Sequence, residues 1–72
     1  MRETKAPVQS FGEFIKAKRL AANLSQGEVA MMANVSQGHI CKIENGHKDP
    51  TLNVALRICD ALGADINEFV RG

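Results

Sequence analysis

Tryptophan and tyrosine are absent from this 72-residue chain, and its only aromatics are three phenylalanines. A core built here must therefore rest on Leu, Ile, Val, Ala and Met, as in compact helical domains. No stretch approaches the ~20 apolar residues of a membrane span. The opening "MRETKAPVQS" also lacks the apolar segment of a signal peptide, so a cytoplasmic location is expected and a membrane partner is not. An excess of one charge is missing too. A net charge of +1 does not by itself mark a nucleic-acid binder. The two cysteines, Cys41 and Cys59, have no CxxC spacing, which favours two reduced thiols; a disulfide stays open, because sequence does not set the distance between them.

What is present fits one folded domain. Hydrophobic residues make up 44% and charged residues 24%, which argues against disorder. A chain this short buries only about 60% of its unfolded surface and needs an efficient core or a partner chain. The charge is unevenly spread: residues 1–50 hold seven Lys/Arg against five Asp/Glu, and residues 51–72 hold two against three. Any phosphate-facing surface is expected in the first two-thirds of the chain.

Residues 1–9 mix charges with Pro7 and show no period, which reads as a flexible arm preceding a domain over 10–72. Ser10-Phe11-Gly12-Glu13 has capping-box form, and Phe11, Ile15 and Lys18 with Arg19 trace one helix face that Phe14 widens. That helix should run to about Ala22, with Asn23 taking a left-handed exit. Ser25-Gln26-Gly27-Glu28 is a second capping box, leading into an apolar face of Val29, Ala30, Met32 and Ala33. Of Met31 and Met32, one is expected in the core and one at the surface. Gly27 disfavours helix by about 1 kcal/mol relative to alanine, so something else is expected to favour it, a close backbone approach being one candidate. Asn34 tolerates positive φ, and Val35 is a lone apolar plug.

Ser36 caps a third helix, 36–45, whose inward pair is Ile40 and Ile43 and which ends at Gly46. After the loop "HKDP", Thr51 caps a fourth helix with the apolar set Leu52, Ala55, Leu56, Ile58, Cys59 and Leu62, stopped by Gly63. Asp65-Ile66-Asn67-Glu68 resembles another capping box and opens a short last helix carrying Ile66, Phe69 and Val70. The fold class is therefore all-α, with five short helices.

The triplet Ser-Gln-Gly occurs twice, eleven residues apart, at Ser25 and Ser36. Each serine marks a helix start, and so short a turn between the two helices forces a steep crossing, the helix-turn-helix unit. In that unit the first helix anchors on the backbone and the second presents its N-terminal part to the major groove. A plain helical hairpin fits the same spacing.

The stretches "FGEFIKAKR", "LSQGEVA", "NVSQGHICKIENG", Pro50-Thr51 and "LRICDALGADINEF" together resemble the lambda-repressor-like (Cro/phage-repressor type, XRE) helix-turn-helix domains, from Phe11 to Phe69. The resemblance implies double-stranded DNA as partner and a transcriptional regulator, a repressor or controller, that reads a pseudo-palindromic operator as a homodimer. It implies that Gln26 bonds a phosphate and braces Gln37, the principal base reader, whose amide can pair with adenine N6/N7. Ser36, Gly38, His39 and Lys42 occupy groove-facing positions. Asn45, His47 and Lys48 would meet the backbone, and Arg19 with Glu44 would form a structural ion pair. The turn glycine of the family is Asn34 here, Gly38 stands where a longer side chain commonly reads a base, and the third helix carries no arginine. For the dimer interface, Leu56, Phe69 and Val70 are the candidates.

Other chemistries fit poorly. His39, Cys41 and His47 match no usual zinc spacing and lack a fourth ligand, so no metal is expected. The serines serve as caps, and there is no Gly-rich phosphate loop or carboxylate pair, so no enzyme, cofactor or small-molecule substrate is expected. Cys41 reads as a partly exposed thiol. The rival function is a helical protein-interaction module, such as an antitoxin or accessory subunit. The low net charge, Gly38 and the missing arginine leave room for it.

Overall fold

Three serines and a threonine set where the chain becomes helical in the computed structural model, which describes residues 10–70. The expected arm over 1–9 lies outside the described residues. The helices are α1 (Phe11–Ala21), α2 (Gln26–Ala33), α3 (Gln37–Glu44), α4 (Leu52–Leu62) and α5 (Ile66–Val70), with no strand among the described residues. Ser10 Oγ accepts from Glu13 N while Glu13 Oε1 accepts from Ser10 N, both at 3.1 Å. Ser25 and Glu28 repeat this box at 3.0 and 2.7 Å. Ser36 Oγ accepts from His39 N at 3.1 Å and Thr51 Oγ1 from Val54 N at 3.2 Å. Each such cap stabilises its helix by about 1 kcal/mol.

The helix exits share one device as well. Asn23, Asn34, Gly46 and Gly63 have φ of 63°, 60°, 78° and 65°. The next residue's N–H then reaches back five positions, from Leu24 to Arg19 O, Val35 to Ala30 O, His47 to Lys42 O and Ala64 to Cys59 O, at 2.8–3.1 Å. This satisfies carbonyls that the helix end would otherwise strand. Leu24, Val35 and Ala64 also pack their side chains on the core, so each of those three turns is closed from both sides.

The core joins Phe14 and Ile15 of α1, Val29, Ala30 and Ala33 of α2, Ile40 and Ile43 of α3, and Ile58 and Cys59 of α4. α2 packs on α3 and α4, and α1 packs on α3 and α4. A Cβ at Gly12 would overlap the Ile43 carbonyl oxygen and lie 3.0 Å from Glu44 Cα, so α1 and α3 touch backbone to backbone there. α5 is held by Phe69, whose ring meets Phe11 edge-on at 5.3 Å and Phe14 at 5.6 Å. Lys18 Nζ to Glu68 Oε1 at 2.8 Å ties it to α1 as well.

Three expectations need correction. Met32 is 55% exposed and Met31 77%, because the buried face of α2 runs through Val29, Ala30 and Ala33 and Met32 sits about a third of a turn away. Leu52 and Leu56 lie on the outer edge of α4 rather than in its packed set, which is Ala55, Ile58 and Cys59 with Leu62 half-buried. Phe69, a candidate for the interface between copies, is half-buried and packs on Phe11 and Phe14 of its own chain. Finally, α5 starts without a capping box. Asp65 Oδ1 accepts from Asn67 N at 2.9 Å, and the Glu68 carboxylate is engaged by Lys18 instead of reaching back. Cys41 and Cys59 are both free thiols, and burial, aided by the Asp65 charge, pushes the Cys59 thiol up.

Candidate nucleic-acid interface

Three residues, Asn34, Val35 and Ser36, separate α2 from α3. Asn34 supplies the left-handed turn, Val35 plugs it from beneath, and Arg57 Nη2 of α4 donates to the Asn34 carbonyl at 3.2 Å. The inner face of α3 is anchored by Ile40, Ile43 and Glu44. Its outer stripe, spaced i, i+4, i+7, is Gly38, Lys42 and Asn45, all exposed, with Gln37 exposed at the edge and His47 and Lys48 exposed in the loop beyond. Asn45 Nδ2 donates back to Cys41 Sγ at 3.4 Å.

Beneath this stripe lies a buried polar junction. Arg19 Nε and Nη2 donate to Glu44 Oε2 and Oε1 at 2.8 and 3.1 Å, a bidentate pair joining α1 to α3. Arg19 Nη1 donates to the Leu24 carbonyl at 2.9 Å, and Gln26 Nε2 donates to Glu44 Oε1 at 3.0 Å. Burial alone would raise the Glu44 carboxyl. The hydrogen bonds from Arg19 and Gln26 and the nearby positive charges outweigh it and hold the group below the usual carboxylate value. The Arg19 guanidinium is raised, chiefly by its bond to Glu44.

Among the site residues expected from sequence, Ser36, Gln37, Gly38, Lys42, Asn45, His47 and Lys48 lie on the exposed side of α3 and its loop. His39 does not share their stripe. It stands beside Ile43 on the helix flank, half-buried, with its Nε2 shielded from solvent and without a hydrogen-bond partner. Gln26 is half-buried and bonded to Glu44, while the Gln37 side chain folds towards α2, so that a Cβ at Gly27 would sit 3.2 Å from Gln37 Oε1. The neighbour at Gly27 is therefore the end of a side chain and not a close backbone approach. The Gln26–Glu44 and Arg57–Asn34 bonds have no sequence signal, whereas the Gly12 approach has the same one as Gly27, a glycine in a first helical turn.

Two short helices joined by a three-residue turn, the second buried on one face and polar on the other, define a helix-turn-helix domain. Residues 15–69 match the helix-turn-helix family, and the chain belongs to it, within its lambda-repressor-like branch. A Bacillus subtilis (strain 168) relative, the uncharacterized HTH-type transcriptional regulator YqaF, is 33% identical over 57 residues, covering 79% of this chain and 75% of its own. Among solved structures, the restriction-modification controller protein C.AhdI from Aeromonas hydrophila is 25% identical with a TM-score of 0.78, covering 82% of this chain and 89% of its own. The P22 c2 repressor in complex with a synthetic operator is 26% identical with a TM-score of 0.78, covering 85% and 92%.

Proposed function

We infer that this chain is a DNA-binding transcriptional regulator that lays α3 in the major groove of a two-fold symmetric operator as a homodimer. The observation that carries the reading is the outer stripe of α3. Gln37, Lys42 and Asn45 stand exposed on a helix whose other side is locked by Ile40, Ile43 and the Arg19–Glu44 pair. A rigid helix with a free polar edge is what base reading in the major groove requires. Gln37 is the base reader for adenine, Lys42 faces the groove beside it, Lys48 is the cation at phosphate, and the α2 and α3 N-termini face the backbone.

A domain of net charge +1 makes few phosphate contacts, and one copy would bind weakly. Two copies reading half-sites about 34 Å apart supply the missing affinity. Leu56 and Val70, both exposed, are the anchors assigned to the interface between copies, with Leu52 beside Leu56 on α4.

The test is a fluorescence-anisotropy titration with a randomised duplex pool at two salt concentrations, followed by sequencing of the bound fraction. Enrichment of a two-fold symmetric site with half-sites one turn apart supports the reading. Weak, salt-sensitive binding without enrichment overturns it and moves the assignment to a protein-interaction module.

A further inference from the structure

The chain leaves four helices through a left-handed residue: Asn23, Asn34, Gly46 and Gly63. At each exit the next amide reaches back five positions to a helix carbonyl. Among the described residues, only Asn34 also has its own carbonyl held by a side chain, Arg57 Nη2 of α4 at 3.2 Å. That exit is the turn between α2 and α3. α2 also differs from α1 and α3 in having no basic residue in its last turn, so Arg57 is the cation that faces its negative end. The two bonds act on one peptide plane. The Asn34–Val35 peptide donates its N–H to Ala30 O at 2.9 Å and accepts from Arg57 at its C=O. In a trans peptide these groups point in opposite directions, so the plane is held at both edges.

We propose that Arg57 is a positioning residue for operator recognition: by holding the Asn34–Val35 peptide plane it fixes the direction in which α3 leaves the turn. The proposal rests on the DNA-binding reading above and adds a residue that acts through the turn rather than on DNA. The rotations on either side of that plane, ψ of Asn34 and φ of Val35, are the free joints between the two helices. A twist at either one swings the start of α3, and Gln37 with it, away from a base edge. The mount is firm, because Ile58, next to Arg57, is fully buried and α4 packs on α2. The bond itself is exposed and adds little to global stability. Its effect lies in which direction of α3 is populated. A chain that holds its binding-competent form only part of the time binds more weakly by that fraction.

The test compares wild type with Arg57→Met, which keeps an unbranched apolar stem and removes the donor. Amide hydrogen exchange is read first, on the free proteins. The Val35 amide should exchange faster in the variant, while those of Leu24, His47 and Ala64, which make the same bond at the other exits, should not change. The melting temperature should stay near that of wild type. On the operator enriched by the wild-type chain, the variant should bind about two- to tenfold more weakly per half-site, the range for losing one ordinary hydrogen bond. Its affinity for a scrambled duplex and its salt slope should be nearly unchanged. Equal loss on both duplexes, with a slope shallower by about 0.9, would make Arg57 a phosphate contact and overturn the proposal. Faster exchange at all four amides, which marks general loosening, or operator binding as tight as wild type would overturn it too. These three outcomes leave the regulator reading intact. Failure of wild type to enrich any site removes both.

Discussion

Arg19 and Glu44, 25 positions apart, form a buried bidentate pair at 2.8 and 3.1 Å that fastens the first helix to the end of the third. The same carboxylate holds Gln26 at the start of α2, and the same guanidinium holds the Leu24 carbonyl just before it. One junction therefore ties the start of α2 and the end of α3 to α1. Removing either partner strands a buried charge, which costs about 3–5 kcal/mol. Glu44→Gln and Arg19→Met should each lower the free energy of unfolding by about that much in urea titrations. The double variant Arg19→Met/Glu44→Leu, which leaves no orphaned charge, should recover most of the loss.

The depressed Glu44 carboxyl also makes stability depend on pH in a stated direction. The unfolded chain binds this proton more readily than the folded one, so the stabilisation is complete above the ordinary value of about 4.3. It is lost as pH falls through the lower folded value. Urea midpoints should hold from pH 7 to about 5 and decline below about 4.3, with a flatter profile for Glu44→Gln across the same window. Equal slopes for the two chains would assign the acid sensitivity to other carboxylates.

Gly12→Ala tests the packing between α1 and α3. The new methyl would overlap the Ile43 carbonyl and press on Glu44, both backbone, so the helices must separate. Overpacking of this kind destabilises by about 1–3 kcal/mol, and a rigid backbone obstacle puts the expectation at the upper end. Gly27→Ala is the control: its neighbour is the far end of a glutamine side chain, which can move, so its melting temperature should change little.

Much of the fold is legible in the sequence because its punctuation is local. Ser10, Ser25, Ser36 and Thr51 announce helix starts by their own chemistry, and Asn23, Asn34, Gly46 and Gly63 announce exits by tolerating positive φ. The errors lie where a residue's fate depends on a neighbour far along the chain. Nothing near Met32 says that α2 turns Val29, Ala30 and Ala33 inward, and nothing near Glu68 says that Lys18 will hold its carboxylate. His39 is the instructive case at the site. Its place in the first turn of α3 suggests a groove contact, but helical geometry sets it beside Ile43, with its Nε2 shielded.

Gln37 and Lys48 are expected to fail differently when truncated. Gln37→Ala should lower affinity for the enriched operator by about 1–3 kcal/mol and relax the preference at one base position, leaving the salt slope nearly unchanged. Lys48→Ala should weaken every duplex alike and reduce the slope of log affinity against log salt by about 0.9 for each phosphate it leaves unneutralised. Anisotropy titrations at several salt concentrations, on the operator and on a scrambled duplex, separate the two. Loss of sequence preference in Lys48→Ala would reverse the assigned roles.

The proposed pairing of two copies would use apolar surface that the fold leaves outside. Leu56 is 45% and Val70 69% exposed, and neither contributes to the core, whereas Phe69 packs against Phe11 and Phe14. A charge at Leu56 therefore meets water in the monomer and a desolvated surface in the dimer. Leu56→Glu should leave the helical content and melting of dilute protein near wild type, shift sedimentation equilibrium to the monomer, and flatten the steep dependence of operator binding on protein concentration. Phe69→Ala should behave in the opposite way, losing stability by about 3 kcal/mol through the cavity it opens between α1 and α5. A dimer that survives Leu56→Glu unchanged would place the interface on another face of the molecule.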